Sequence, residues 1–257
     1  MAERTPASGD ALANRAHWDA TADEYQAAHG EFIRGDVPGW GIWQIPEDEL
    51  RVLGDIAGKD VLELGCGAAQ WSIALARRGA RPVGVDNSAR QLAHARRLMA
   101  DAQVDFPLVH ASAESVPLAE ESFDVAFCDH GALSWADPYA VVPEAARLLR
   151  RGGLLAFSIT SPIAYLCWNP ETDLMEPRLH RPYFGSTRHV NPDGSVEYKL
   201  TYGGWVALLR ESAFVVTDLL EPQRPEGATS TYWDEREYEW ARRWPSDAIW
   251  VARKRTK

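Results

Sequence analysis

Cysteine is scarce in this 257-residue chain: Cys66, Cys128 and Cys167 form an odd, widely spaced set. They give neither a disulfide framework nor the paired spacing of a zinc site, and such usage favours a reducing cytoplasm. Long apolar runs are missing too, none approaching the ~18 residues that suggest a membrane span. The first twenty residues lack a basic patch followed by an apolar stretch, so no signal peptide is expected. Basic charge is in deficit, with 27 Lys and Arg against 37 Asp and Glu and a formal net charge of −10. Proteins that live on phosphate contacts usually show the opposite balance or a concentrated basic face. The basic residues near the end, Arg242, Arg243, Arg253, Lys254, Arg255 and Lys257, read as a solvated rim. Neither nucleic acid nor membrane is expected as a partner.

What is present is a globular composition, 46% hydrophobic and 25% charged. The length suits one large domain that needs no disulfide or metal staple. Tryptophan is abundant, with 11 residues. The first dozen residues are small and polar enough to be disordered. From Asn14 to His29 the composition is that of a helix, with Trp18, Ala22 and Tyr25 at helical spacing. Pro46 followed by Glu47, Asp48 and Glu49 predicts a helix start, with Leu50, Leu53 and Ile56 on its apolar side and Gly58 ending it.

A strand–helix alternation follows. Strands are expected at residues 61–64, 82–86, 106–110, 123–128 and 154–159. Between them lie helices carrying Trp71, Ala74 and Leu75, then Leu92, Ala95 and Met99 after a Ser88 cap, then Val142, Ala145, Ala146 and Leu149. Gly152 and Gly153 are expected to break the last of these. Apolar strands alternating with amphipathic helices argue for a doubly wound α/β fold, a mostly parallel sheet covered on both faces. Residues 161–197 are rich in Pro, Asn and aromatics, without a period, and read as an insertion on the same sheet. A helix near residues 204–212 and β-rich runs at 214–220 and 248–253 close the chain.

In such sheets ligands sit beyond the carboxyl ends of the strands. Gly65 and Gly67 stand there, where the backbone must turn tightly and approach a ligand. Asp86 ends the second strand, where a carboxylate accepts ribose hydroxyls. The run Gly65-Cys66-Gly67-Ala68-Ala69-Gln70 is not the dinucleotide fingerprint, and Glu63 would repel a pyrophosphate but attract an ammonium or sulfonium. A nicotinamide-dependent oxidoreductase is therefore disfavoured.

Five ordered stretches carry a family resemblance: Val61–Gly67, Val83–Ser88, Ala111–Glu114 with Val116–Leu118, Phe123–Phe127, and Leu148–Gly153. Over about residues 58–160 the chain resembles the class I S-adenosylmethionine-dependent methyltransferases of the small-molecule type. The resemblance implies a seven-stranded sheet with an antiparallel last strand. It also implies a lid and tail over residues 1–57, and a Rossmann-like domain over 58–257 with an insertion at about 161–200. In the implied cofactor pose, Gly65 and Gly67 pass beneath S-adenosylmethionine and Glu63 lies near its amino group. Asp86 holds the ribose, Asn87 sits beside the adenine, and Ala113 and Glu114 meet the adenine edge. Gln70 and Gln91 join this set, Asp129 lies near the transferring methyl, and Tyr25 on the lid bonds the cofactor's carboxylate. The family often has a third glycine where this chain has Ala69, and alanine fits if the helix opens with ordinary backbone angles.

Methyl transfer from a sulfonium is an in-line displacement that rests on alignment in a dry site. Where the acceptor must lose a proton, Asp129 and His130 are the candidate bases; His17, His29, His180 and His189 are weaker candidates for the acceptor pocket. Trp43, Trp135 and Trp168, with Trp40 and Trp205, are candidates for an aromatic wall facing a flat or cationic acceptor. At least half of the tryptophans, Trp71 and Trp250 foremost, are expected in the core. No metal cluster is read from the sequence. The expected function is methylation of a small organic acceptor by a cytoplasmic monomer or homodimer. The alternatives are an RNA or protein methyltransferase, disfavoured by the acidic charge, and a non-catalytic cofactor-binding module.

Overall fold

The computed structural model describes residues 7–256. Seven strands form the central sheet: β1 Asp60–Leu64, β2 Arg81–Asp86, β3 Leu108–His110, β4 Phe123–Asp129, β5 Leu149–Thr160, β6 Phe214–Leu220 and β7 Asp247–Lys254. Their order is β6-β7-β5-β4-β1-β2-β3. β7 runs antiparallel to both β5 and β6, and the other neighbouring strands are parallel. The strand order reverses beside β1, so a crevice opens at the carboxyl ends of β1 and β4.

Period-two alternation sends successive strand residues to opposite faces. Leu62, Leu64, Val85, Phe157 and Trp250 pack on one side with helices α5 (Ala132–Trp135), α6 (Pro138–Leu148) and α8 (Tyr202–Glu211). Val61, Val125, Phe127, Ala156 and Ile249 pack on the other with Trp40, Leu53, Ile56 and Trp71. Helices α3 (Gln70–Arg77) and α4 (Ala89–Ala102) meet through Ala69, Ile73, Leu92, Ala95 and Met99. Burial on both faces explains why the strands read as apolar runs. Among the described residues, no helix is long and apolar enough to cross a membrane.

Several expectations change. The disorder expected over the first dozen residues falls outside the described residues for 1–6, but Ser8 already caps helix α1, Gly9–His29, by accepting from the Ala11 N–H. The helix expected from Pro46 to Gly58 is a single turn, α2, Glu47–Leu50, followed by Arg51 at φ +52°. The buried Glu47 carboxylate accepts from the N–H groups of Val52 and Leu53 and from Trp40 Nε1, at 3.2, 2.8 and 2.6 Å. A side chain that takes those donors replaces the next helical turn. Gly152 and Gly153 break no helix: α6 ends at Leu148 and β5 begins at Leu149, so both glycines lie within that strand.

The irregular segment after β5 contains the short helix α7 (Pro162–Cys167), a hairpin pairing Trp168–Asn169 with Leu174–Met175, and another pairing Arg188–Val190 with Val196–Tyr198. A one-turn helix, α9 (Tyr238–Ala241), precedes β7. Ile42, Trp43, Ile45, Ala164, Cys167 and Trp240 form a separate cluster there, flanked by Tyr232, Trp233, Tyr238 and Trp244. This second cluster accounts for much of the tryptophan content. Trp40, Trp43, Trp71, Trp205, Trp240 and Trp250 are buried, and they are structural.

Candidate active site

The turn after β1 is set by backbone crowding. Gly65 has φ +74°, and a Cβ there would stand 2.4 Å from the Ala132 nitrogen, so only glycine lets this turn pass the loop after β4. Gly67 N–H donates to Asp86 Oδ2 at 2.8 Å, and Ser88 N–H donates to Asp86 Oδ1 at 2.7 Å. The carboxylate at the end of β2 is thereby fixed against the glycine turn. Ala69, at the N-cap of α3, takes φ +58° and ψ +30°. The expectation of ordinary backbone angles there is overturned: alanine adopts the left-handed conformation a glycine would favour, at a cost of about 1 kcal/mol.

Three acids stand at or near the ends of β1, β2 and β4. Glu63 is buried, and its Oε2 accepts from the Ser72 N–H and hydroxyl at 3.1 and 2.5 Å. Its Oε1 has no hydrogen-bond donor among the described residues. Burial, reinforced by the charges of Asp129 and Asp86, pushes the Glu63 carboxyl up to about 8. Burial also raises Asp86. Asp129 accepts from the Gly41 N–H at 2.9 Å, and burial together with the Asp247 charge pushes it up to about 6 despite His130.

His130, at φ +49°, directs Nε2 to Asp247 Oδ1 at 2.6 Å. Asp247 opens β7, is 1% exposed, and accepts at its other oxygen from the Ser246 hydroxyl, which itself accepts from Trp43 Nε1. Burial works against the imidazolium, but the Asp247 hydrogen bond and the charges of Asp247 and Asp129 outweigh it and raise the His130 pKa.

Glu63, Asp86, Asp129 and His130 face one cavity of about 320 Å³. Helix α1 roofs it through polar contacts. Gln70 Nε2 donates to Gln26 Oε1 at 2.9 Å, and Gln26 Nε2 donates to Gln91 Oε1 at 3.0 Å. Asn87 Nδ2 donates to the Ala11 carbonyl, and Arg15 Nε returns a bond to Asn87 Oδ1. Trp18, Tyr25 and Trp135 meet edge to face around Trp18, with centroids 5.4 and 5.1 Å from it.

Residues 62–157 match the family described as "Methyltransferase domain". The glycine turn, the acid at the end of β2 and the observed strand order agree with that match. Over this stretch the chain is similar to methyltransferase domains. The chain is 37% identical over 143 residues to a ubiquinone biosynthesis O-methyltransferase of Pseudomonas entomophila, covering 48% of this chain and 61% of the relative. A demethylmenaquinone methyltransferase of Clavibacter sepedonicus is 34% identical over 113 residues, covering 44% of each. The chain thus spans about half the length of the curated relatives it matches. In fold it resembles an S-adenosylmethionine-dependent methyltransferase of Mesorhizobium loti, with TM-score 0.67, 22% identity, and coverage of 83% of this chain and 99% of the other.

The structure brings Tyr25, Glu63, Gly65, Gly67, Gln70, Asp86, Asn87, Gln91, Ala113, Asp129, His130 and Trp135 to the cavity. It removes three others. Glu114 lies off the cavity, its Oε1 accepting from the Asp137 N–H, and the Ser112 beside it lines the wall instead. Trp43 is 4% exposed and bonded to Ser246, so it anchors the loop beneath His130. Trp168 bonds Asp173 and lies under Arg181, away from the cavity. Trp40 and Trp205 are core residues, 1% and 0% exposed. Among the weaker histidines, His29 stacks on Tyr232 and His180 pairs with Glu176.

Sequence reasoning missed Gln26, Ser112, Glu197, Lys199, Tyr232 and Asp247. Tyr232 hydroxyl meets Tyr25 hydroxyl at 2.8 Å across the mouth. Asp247 carried a legible signal, an acid at the head of the apolar run Ala248-Ile249-Trp250-Val251, the mirror of Asp129, which closes the run of β4. The others arrive from elements distant in sequence, with no local mark.

Proposed function

We propose that the chain is an S-adenosylmethionine-dependent methyltransferase acting on a small organic acceptor. The observation that carries this reading is the pair of carboxylates, buried Glu63 and half-buried Asp86, on one wall of the cavity. Glu63 Oε1 lacks a protein donor, and each Asp86 oxygen keeps a lone pair beyond its single backbone bond. A ligand with an ammonium at one end and a diol near its middle fits these demands, and a pyrophosphate does not. Bound there, S-adenosylmethionine supplies an electrophilic methyl on a sulfonium. The chain's own residues do the remaining work. Gly65 and Gly67 expose backbone to the ligand, Asn87, Ser112 and Ala113 border its adenine end, and Tyr25 with Tyr232 closes the methionine end. Helix α1, with residues 7–57, serves as the lid that excludes water. The reading extends the methyltransferase domain over 58–256, with 161–200 as an insertion that shapes the acceptor side.

His130 acts as the base where the acceptor carries a hydroxyl. With Nε2–H held by Asp247, Nδ1 is the free lone pair that takes the proton. Asp129 acts beside it by its charge, held to Gly41. Relatives named for ubiquinone and demethylmenaquinone methylation support a small acceptor.

Calorimetric titration with S-adenosylmethionine, S-adenosylhomocysteine and NADH tests the cofactor. Binding of the first two, weakened at least tenfold in Asp86→Asn, is the expected result; binding of NADH alone would sink the reading. The base is tested by pH profile. Asp247 raises the His130 pKa, so Asp247→Asn moves the acid limb of kcat/KM to lower pH, while an unmoved limb excludes His130.

A further inference from the structure

A second cavity of about 260 Å³ adjoins the first, and Ser134, Thr160 and Lys199 line both. It lies between the end of β5, α7 and the hairpin ending at Tyr198, next to the cavity that His130 lines. Its walls combine apolar surface from Ile159, Leu166 and Leu200 with two cations, Arg181 and Lys199, and no carboxylate.

Arg181 is set in place. Its Nη1 donates to the carbonyls of Tyr165 and Trp168 at 3.0 and 2.9 Å, and its guanidinium lies 4.6 and 4.2 Å from the two ring centroids. Among the described residues, Nε and Nη2 have no acceptor and no carboxylate lies within 4.0 Å. Lys199 is paired with Glu197, 3.1 Å away, which lines the first cavity. Asp10 is taken by Arg188 and Tyr198, and Asp193 by His17 and Ser195. Burial lowers the pKa of His189 and keeps it neutral. Arg181 is therefore a rigid cation with unused donors facing a pocket that no protein anion serves.

We infer that this second cavity is the tail subsite of the acceptor, and that Arg181 there binds a carboxylate. The acceptor class that follows is a small molecule with an apolar body, a methylatable group near His130 and an acid at its far end. A planar guanidinium presents two parallel donors to a carboxylate, which is stronger than a neutral pairing. The inference rests on the methyltransferase reading of the first cavity.

The test uses the full chain loaded with S-adenosylhomocysteine and titrated with ω-(4-hydroxyphenyl)alkanoates of one to four methylenes and with their primary amides. At least one acid should bind about tenfold more tightly than its amide. Arg181→Met should erase that preference while leaving S-adenosylhomocysteine affinity at its wild-type value, and Arg181→Lys should restore part of it. Equal binding of acids and amides, or binding of neither, overturns the tail subsite alone. A wild type that fails to bind S-adenosylhomocysteine overturns the cofactor reading as well. A preference that survives in Arg181→Met assigns the acid elsewhere and also overturns the inference.

Discussion

Glu63 shows how one side chain couples the site to pH. Its folded pKa of about 8 lies above the ordinary glutamate value of 4.5, so between those values the folded state holds a proton the unfolded chain releases. The ligand-free protein therefore loses stability as pH rises through that window, by up to about 1.4 kcal/mol per pH unit for each such proton. Asp129, raised to about 6, adds the same sign over its lower range. Thermal unfolding between pH 5 and 8.5 should show the decline, and Glu63→Gln should flatten it. An ammonium brought to Glu63 ionises it, so cofactor binding at pH 7 should release a proton. Titration in two buffers of different ionisation enthalpy reads that proton directly. Gly65 is a steric counterpart: Gly65→Ala places a Cβ on the Ala132 nitrogen at a positive φ. A loss of about 2–4 kcal/mol in denaturant unfolding is expected, at the severe end for a point change.

At the scale of elements, α1 is held by polar links more than by apolar burial. Only Ala11, Asn14 and Ala22 of its 21 residues are buried. Asn14 bonds both the N–H and the carbonyl of Val196, at 2.7 and 2.8 Å, and also the Trp135 carbonyl. A row of contacts from Asp19 and Asp23 to Ser88, Arg90 and His94 ties the helix to α4. Such contacts reform easily after breaking, which suits an element that must open for cofactor exchange. Asn14→Ala leaves buried backbone groups of Val196 unpaired, at about 1–3 kcal/mol. Hydrogen exchange should quicken in α1 and in the 188–198 hairpin while β1, β4 and β5 keep wild-type protection.

Across the whole molecule, two apolar assemblies meet at the site. The sheet core holds the cofactor wall, and the Trp43–Trp240 cluster holds the loops that carry His130's partner and Tyr232. A ligand that spans lid and sheet should stabilise both together. At a hundredfold excess over its Kd, S-adenosylhomocysteine adds about 2.7 kcal/mol. For a chain of this size that is a Tm rise of roughly 5–10 °C, which a tenfold weakening in Asp86→Asn should cut to about half or less at the same concentration.

The alternating sheet, the glycine turn after β1 and the acid ending β2 were legible along the chain because each rests on neighbours in sequence: strand periodicity, left-handed backbone, an acid closing an apolar run. Ser88 as a cap belongs with them, since a hydroxyl serves N–H groups only three residues away. The roof contacts of Gln26, the Tyr25–Tyr232 closure, the Asp247 partner of His130 and the Arg181 pocket join residues 44 to 207 positions apart, or depend on hairpins with no apolar period. The same reason misplaced Trp43 and Trp168: indole rings suit an aromatic wall and a packed core equally well, and only the surrounding shape assigns them. Glu114 failed similarly, because a carboxylate that satisfies the Asp137 N–H looks in sequence like one that meets a ligand. Local backbone chemistry wrote the cofactor side into the chain, whereas the acceptor side exists only where distant loops close on one another.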